Sequence, residues 1–193
     1  MKPRCPWCGE DPVYLKYHDE EWGVPVHDDQ RLYEKIVLEG AQAGLSWITI
    51  LKRRENYRTA FDQFDVETVA AYTEENVERL MNDAGIIRNR MKINSAINNA
   101  KRVLEIQKEH GSLDAFLWSF VGRKTISNHW KTMSAVPATT PESDAMGKAL
   151  KKAGFTLIGS TTCYAMMQSV GMVNDHTVDC YRHREVNDNE PKE

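Results

Sequence analysis

Six residues near the two ends of the chain have the chemistry of metal ligands. Cys5, Cys8 and His18 stand near the amino end, and His176, Cys180 and His183 near the carboxyl end. Thiolate sulfur and imidazole nitrogen are the donors a tetrahedral zinc ion prefers, and one Cys and one His from each end would complete a four-ligand set. His176-x-x-x-Cys180 spaces two donors one helical turn apart on one face. The intervening chain is far too long for a zinc finger, and spacing alone leaves open that the six are unrelated. Cys5-Pro6-Trp7-Cys8 also has the spacing of a redox pair, but that motif opens a helix beside a sheet, and the sequence shows no such sheet.

Two further stretches could carry chemistry. From Ile36 to Leu51 the only charged side chain is Glu39. A carboxylate in so apolar a run is either buried, with its pKa raised, or a helix-end residue reaching solvent past Gly40. Trp47 follows closely, and Tyr14, Tyr17 and Trp22 precede it; aromatics of this kind serve a core as readily as a pocket. In Asp83-Ala84-Gly85-Ile86-Ile87-Arg88-Asn89-Arg90, a helix ends at a glycine and a basic helix follows. The exposed backbone N–H groups at such a start, with Arg88, Arg90 and Lys92, suit a phosphate. An ordinary helix–helix turn with Ile86 and Ile87 in the core reads equally well.

The elements that would position these groups are helical. Asp28 or Asp29 caps a helix whose face is Leu32, Tyr33, Ile36 and Val37, and Ser46 caps a second through Tyr57. A third begins at Thr73 and ends at Gly85, a long one covers 88–109, and a short one ends at Gly122. Thr140-Pro141 starts a helix that Gly154 stops, and a last one runs from Ser160 to Val170. Residues 1–28 show little periodicity, and Phe155 to Ile158 have no evident strand partner. The reading is all-α, which excludes a nucleotide-binding α/β sheet. Residues 1–184 form one compact domain, and 185–193 a charged, frayed tail.

Composition sets the outer bounds. The chain has 193 residues, 41% of them hydrophobic and 27% charged, which is globular rather than disordered. No apolar run approaches a membrane span and no signal peptide is legible, so a cytoplasmic location with reduced cysteines is expected. The net charge of −3 argues against a nucleic-acid partner, but its distribution does not. Residues 55–83 carry two basic and eight acidic side chains, whereas 84–131 carry nine basic and three acidic. Such segregation suits phosphate contacts, or simply a solvated surface of mixed charge.

Several longer stretches are more specific than any of these signals. They are Tyr17-His18-Asp19-x-Glu21-Trp22-Gly23-Val24-Pro25, Leu38-Glu39-Gly40-x-Gln42-Ala43-Gly44-Leu45-Ser46-Trp47, Asp83 to Arg88, and Val173-Asn174-Asp175-His176. Together they closely resemble the type I DNA-3-methyladenine glycosylases of the helix–hairpin–helix superfamily, from Cys5 to Cys180. The resemblance implies one structural zinc at Cys5, His18, His176 and Cys180, leaving Cys8 and His183 as spares. It implies a pocket glutamate at Glu39, a stacking tryptophan at Trp47, pocket aromatics at Tyr14 and Tyr17, and a DNA-anchoring hairpin at 84–88. The partner implied is alkylated double-stranded DNA, and the expected state is a monomer. Gly44-Leu45 is expected to fill the gap left by a flipped base, and the amides of Gly85, Ile86 and Ile87 with Arg88 to hold phosphate. Hydrolysis of the glycosidic bond without strand cleavage is expected. A binder that has lost catalysis would lack Glu39 or Trp47, and both are present. A sequence-reading regulator would need a dimerisation segment, and none is legible.

Overall fold

A computed structural model describes residues 2–188. They form a mostly helical fold of ten α-helices, with one two-residue pair of parallel strands among the described residues. In chain order the helices are α1 (Pro12–Glu20), α2 (Asp29–Ala41), α3 (Trp47–Ala60), α4 (Val66–Ala70), α5 (Glu74–Met81), α6 (Arg90–His110), α7 (Leu113–Trp118), α8 (Pro141–Lys152), α9 (Ser160–Ser169) and α10 (Tyr181–Asp188). No helix among them is long and apolar enough to cross a membrane.

Helix α2 is the axis of the molecule. Every residue from Leu32 to Ala41 is buried, including Glu34, Lys35 and Glu39. A helix buried on all sides needs neighbours on all sides; α3, α6, α7 and α9 supply them. Asp28 caps its start by accepting from the Arg31 amide. Its far end is clamped by Lys92, which donates to the carbonyls of Ala41 at 2.8 Å and Ala43 at 2.7 Å. Truncating a core side chain such as Leu38, fully buried here, costs ~2–5 kcal/mol.

Four local expectations change. The stretch before residue 28 is not irregular: Asp11 caps α1 by accepting from the Val13 amide, and Pro12 occupies the first helical position. His176 and Cys180 do not share a helix. They flank a turn after the strand Val173–Asn174 (β2), in which Cys180 N–H bonds the Thr177 carbonyl. The third helix stops at Met81 rather than Gly85. Of the stretch 185–193 expected to be a frayed tail, the described residues belong to α10, which runs Tyr181–Asp188 with Val186 buried. Ser127 and Asn174 both bond Asn187 there; residues 189–193 lie outside the described part.

Residues 155–158 are indeed not a strand; the strand pair is Ile126–Ser127 (β1) with β2. Beyond it, the segment after α1 runs alongside the end of α9. Gly23 N–H bonds the Gln168 carbonyl and Val26 N–H bonds that of Val170. Gly171, with φ at +76°, permits this approach, because a Cβ there would stand 2.4 Å from the Pro25 nitrogen.

Candidate active site

The chain ends meet at a buried cluster. Donor atoms of Cys5, His18, His176 and Cys180 all lie within 4.8 Å of one another, and all four residues are buried. Cys5 Sγ is 3.5 Å from His176 Nδ1, Cys180 Sγ is 3.5 Å from the same nitrogen, and Cys180 Sγ is 3.4 Å from His18 Nε2. A tetrahedral ion with ordinary zinc–sulfur and zinc–nitrogen bonds would separate such atoms by about 3.6 Å. The outer nitrogens are anchored too: His18 Nδ1 bonds Asp19 at 2.8 Å, and His176 Nε2 bonds the Trp22 carbonyl at 2.9 Å. Asp19 is held by Arg4, which keeps its carboxyl well below the usual range. Fixing the second ring nitrogen in this way is the usual support for a metal-binding histidine. The cluster could therefore hold a metal ion.

The two spare residues are accounted for. Cys8 is buried, but its thiol turns to the Cys5 carbonyl. His183 bonds the Asn128 carbonyl at 2.7 Å.

Beside the cluster opens a cavity of about 230 Å³. It is smaller than sites for drug-sized ligands, about 300–1,000 Å³, and suits a single planar base. Glu39, Trp47, Tyr14 and Tyr17 all line it, so the four come together from three helices. Tyr14 and Tyr17 project from one side of α1. Glu39 sits in the last turns of α2, and Trp47 opens α3. The rings of Tyr17 and Trp47 are 5.7 Å apart.

Further wall residues carried weaker signals in the sequence. Trp7, Trp22, Gln42 and Gln168 also line the cavity. Trp22 joins the cavity to the metal-type cluster, since its ring packs edge-on against His176 at 4.7 Å while its carbonyl holds the same imidazole. Trp7 packs against both Trp22 and His18. Lys35 is the other omission, and its signal was plain: it lies four residues before Glu39 on the same helix face.

The electrostatics of the cavity centre on those two residues. Glu39 is 7% exposed, and its carboxyl makes no hydrogen bond with any described residue. Burial pushes its pKa up to about 7, and Lys35 pulls in the opposite direction. Lys35 is walled off behind the aromatics, its ammonium 5.0 Å from the Tyr17 ring centroid and 5.8 Å from that of Trp47. It finds no hydrogen-bond acceptor, and burial lowers its pKa to about 8 despite Glu21, Glu39 and Glu34 nearby. The indole N–H groups of Trp7 and Trp47 are likewise buried without acceptors.

The proposed DNA-facing residues fall in two places. Gly44, in a left-handed conformation with φ at +79°, turns the chain between α2 and α3, and Leu45 beside it is one of few exposed large apolar residues. At the second place Arg88 is exposed and Ile86 is buried. The amides there already have acceptors: Gly85 N–H bonds Asp83 Oδ1, Ile86 N–H the Asp83 carbonyl, and Ile87 N–H the Tyr57 hydroxyl. Their expected availability to phosphate does not hold in this structure. Arg90, from the basic segment, is spent on Glu74 and Glu78 of the acidic one.

Residues 7–183 match the methyladenine glycosylase family. The chain is 53% identical to DNA-3-methyladenine glycosylase 1 of Escherichia coli, over 92% of this chain and 95% of that protein. It is 51% identical to DNA-3-methyladenine glycosylase of Haemophilus influenzae, over 93% and 97%. A crystal structure of a 3-methyladenine DNA glycosylase I superposes with a TM-score of 0.91 at 50% identity, covering 93% of this chain and 98% of that one. The Staphylococcus aureus glycosylase I, solved to explain its recognition of 3-methyladenine, superposes with a TM-score of 0.90 at 36% identity over 92% and 95%. With the match spanning nearly its whole length, this chain belongs to the methyladenine glycosylase family.

Proposed function

We propose that the protein is a base-excision repair enzyme that hydrolyses the N-glycosidic bond of 3-methyladenine in alkylated duplex DNA and leaves an abasic site. The observation that carries this reading is the aromatic cavity whose one lining carboxyl among the described residues, Glu39, has no hydrogen-bond partner among them. Methylation at N3 of a deoxyadenosine makes the base cationic. A cation over an aromatic face gains ~0.5–2 kcal/mol that a neutral base does not, and Trp47, Tyr14 and Tyr17 present such faces. Glu39 adds a charge-assisted hydrogen bond to the base edge. The charged base is already a good leaving group, so water can displace it at the sugar with little acid catalysis. Among the described residues no lysine lines the cavity, which supports hydrolysis over a lyase route through a covalent imine.

The target base must leave the helix to reach this cavity, at a cost of a few kcal/mol. Leu45, exposed on the Gly44 turn beside the cavity, takes the space it vacates. Arg88 contacts the phosphate backbone. A second helix pair, α8 and α9, brings its connecting turn to the groove that Leu45 also lines, and the first turn of α9 has no side-chain cap. That turn suits a phosphate better than the occupied amides at 85–87, and it is where we place the hairpin of a helix–hairpin–helix fold. The Cys₂His₂ set would hold one zinc ion through its four protein donors, and the contribution of that ion would be to fasten the two chain ends. The enzyme acts as a cytoplasmic monomer, and residues 2–188 fold as one domain.

Chromatography of bases released from dimethyl sulfate-treated duplex DNA tests the reading. The expected product is 3-methyladenine, with 7-methylguanine left in the polymer. No release by metal-loaded protein that still binds DNA would overturn it in favour of a binding module.

A further inference from the structure

Asp175 is fully buried and receives four donors. Its Oδ1 accepts from Asn128 Nδ2 at 2.7 Å and Trp130 Nε1 at 2.8 Å, and its Oδ2 accepts from the Tyr164 hydroxyl and from Gln168 Nε2 at 2.9 Å. The indole can only donate, and a carboxylate so surrounded can only accept. This settles the sense of the Gln168 amide: nitrogen toward Asp175, carbonyl oxygen away from it.

Gln168 lines the cavity. Its Oε1 has no hydrogen bond with any described residue, and it is not among the unpartnered polar atoms closed off from solvent. With its nitrogen held by Asp175, that oxygen is the polar side-chain atom Gln168 has left to offer the cavity it lines. Gln168 itself cannot turn over, because its carbonyl would then face the Asp175 carboxylate and the cavity would gain a donor at the cost of two repelling oxygens.

We propose that Gln168, locked by Asp175, is a specificity-determining residue that selects 3-alkylated adenine over 3-alkylated guanine. The two bases differ at position 2, where only guanine carries an amine, and at position 6, where adenine carries an amino donor and guanine a carbonyl acceptor; Gln168 reads the second difference. An amide free to rotate would accept either. A fixed carbonyl bonds the adenine amine and repels the guanine oxygen, and Glu39, also an acceptor, reinforces the choice. Asp175 acts only through Gln168 and is a positioning residue.

The inference rests on the glycosylase reading above, and the test separates the two. Wild type and Gln168→Met, which keeps the side-chain length but lacks the acceptor, are given methylated duplex DNA that contains both 3-methyladenine and 3-methylguanine. The ratio of the two release rates is read within one tube, so loss of active protein cancels. The ratio is expected to fall at least tenfold in the variant, mainly through slower adenine release. An unchanged ratio overturns the inference while leaving the glycosylase reading intact; release of neither base by wild type overturns that reading itself. If Gln168→Met does not fold, inhibition of wild type by free 3-methyladenine and free 3-methylhypoxanthine, in which a carbonyl replaces the amine, takes its place. At least tenfold preference for 3-methyladenine is expected, and equal inhibition overturns the inference.

Discussion

The cluster at the chain ends and the cavity beside it share walls yet are built on opposite principles. In the cluster every polar atom is served: each histidine has both nitrogens engaged, and Asp19 and the Trp22 carbonyl hold the outer ones. In and behind the cavity wall polar atoms are left without a hydrogen-bond partner among the described residues: the Glu39 carboxyl and the indole N–H groups of Trp7 and Trp47 in the lining, and the Lys35 ammonium behind it. Buried polar groups without partners are costly and uncommon. A protein that satisfies one region fully and leaves its neighbour wanting has completed the first and kept the second for a ligand. On the proposed reading the cluster is a structural element and the cavity a working one, joined by Trp22 and Trp7.

The most damaging way to break this contrast is to empty the cluster. Structural zinc contributes about 10–16 kcal/mol of apparent binding energy in small zinc domains, more than the whole stability of most domains. Prolonged chelation, or His176→Ala, is expected to lower the melting temperature by well over 10 °C, with base release lost as a consequence. Metal analysis should give one zinc per chain. Metal-free protein that melts where the loaded protein does would show that the cluster is not held by an ion.

Glu39→Gln should behave in the opposite sense, losing activity and gaining stability. Base release is expected to fall by about 100-fold, ~2.7 kcal/mol of transition-state stabilisation. The stability change follows from linkage. The Glu39 carboxyl is raised to about 7 in the folded protein and lies near 4.3 when unfolded. The native state therefore holds its proton more tightly, and stability is fully present below pH 4 and declines as pH rises toward 7. The glutamine variant escapes that decline, so it should exceed wild type by about 1–3 kcal/mol at pH 8 and lose the advantage near pH 4. Denaturant melts at the two pH values check this. An undiminished release rate would remove Glu39 from the mechanism.

Lys35→Met is a gentler probe of the same region. Release is expected to rise with pH as the Glu39 carboxyl ionises, with a midpoint near 7 in the wild type. Lys35 opposes the raised value, so removing its charge should move that limb upward by about one pH unit. The charged groups facing Lys35 are Glu21 at the end of α1, Arg54 of α3, and Glu34 and Glu39 of α2. Since Glu21 is bound to Arg54 on both oxygens, it is a weak substitute partner. A pH profile that superposes on wild type would show that Lys35 does not govern Glu39.

What the sequence disclosed follows the same divide. The helices α2, α5 and α8 were legible from their caps at Asp28, Thr73 and Thr140, because capping is a local matter between residues three apart. Helix α1 could have been read from Asp11-Pro12 and from Tyr14, Tyr17 and His18 at helical spacing, but its nine residues offer little more than two turns of pattern. The strand pair could not be read: two residues on each side, 47 apart, carry no local pattern. Among site residues, the set at Cys5, His18, His176 and Cys180 and the cavity residues Glu39, Trp47, Tyr14 and Tyr17 were reached through family resemblance, and the structure brings each set together. The amides at 85–87 were misread because a turn's free donors cannot be counted until its tertiary neighbours, here Tyr57 and Asp83, are known. Gln168 was missed because its meaning lies in Asp175, which stands beyond the end of α9, where the helical period no longer says what faces what.

Leu45 offers the finest test, because it touches neither region's internal bonding. It stands 38% exposed on the turn after Gly44, so its removal takes little from the core, and Leu45→Ala should change stability by no more than about 0.5 kcal/mol. The role proposed for it is to occupy the gap that a flipped base leaves, which exists only in a duplex. The variant is therefore expected to release 3-methyladenine from duplex DNA about fivefold to tenfold more slowly, the equivalent of about 1–1.4 kcal/mol. On single-stranded DNA no stacked pair must be opened, and the two proteins should work alike. Equal slowing on both substrates would mean that Leu45 shapes the cavity itself, and the contrast would then lie between cluster and turn rather than between cluster and cavity.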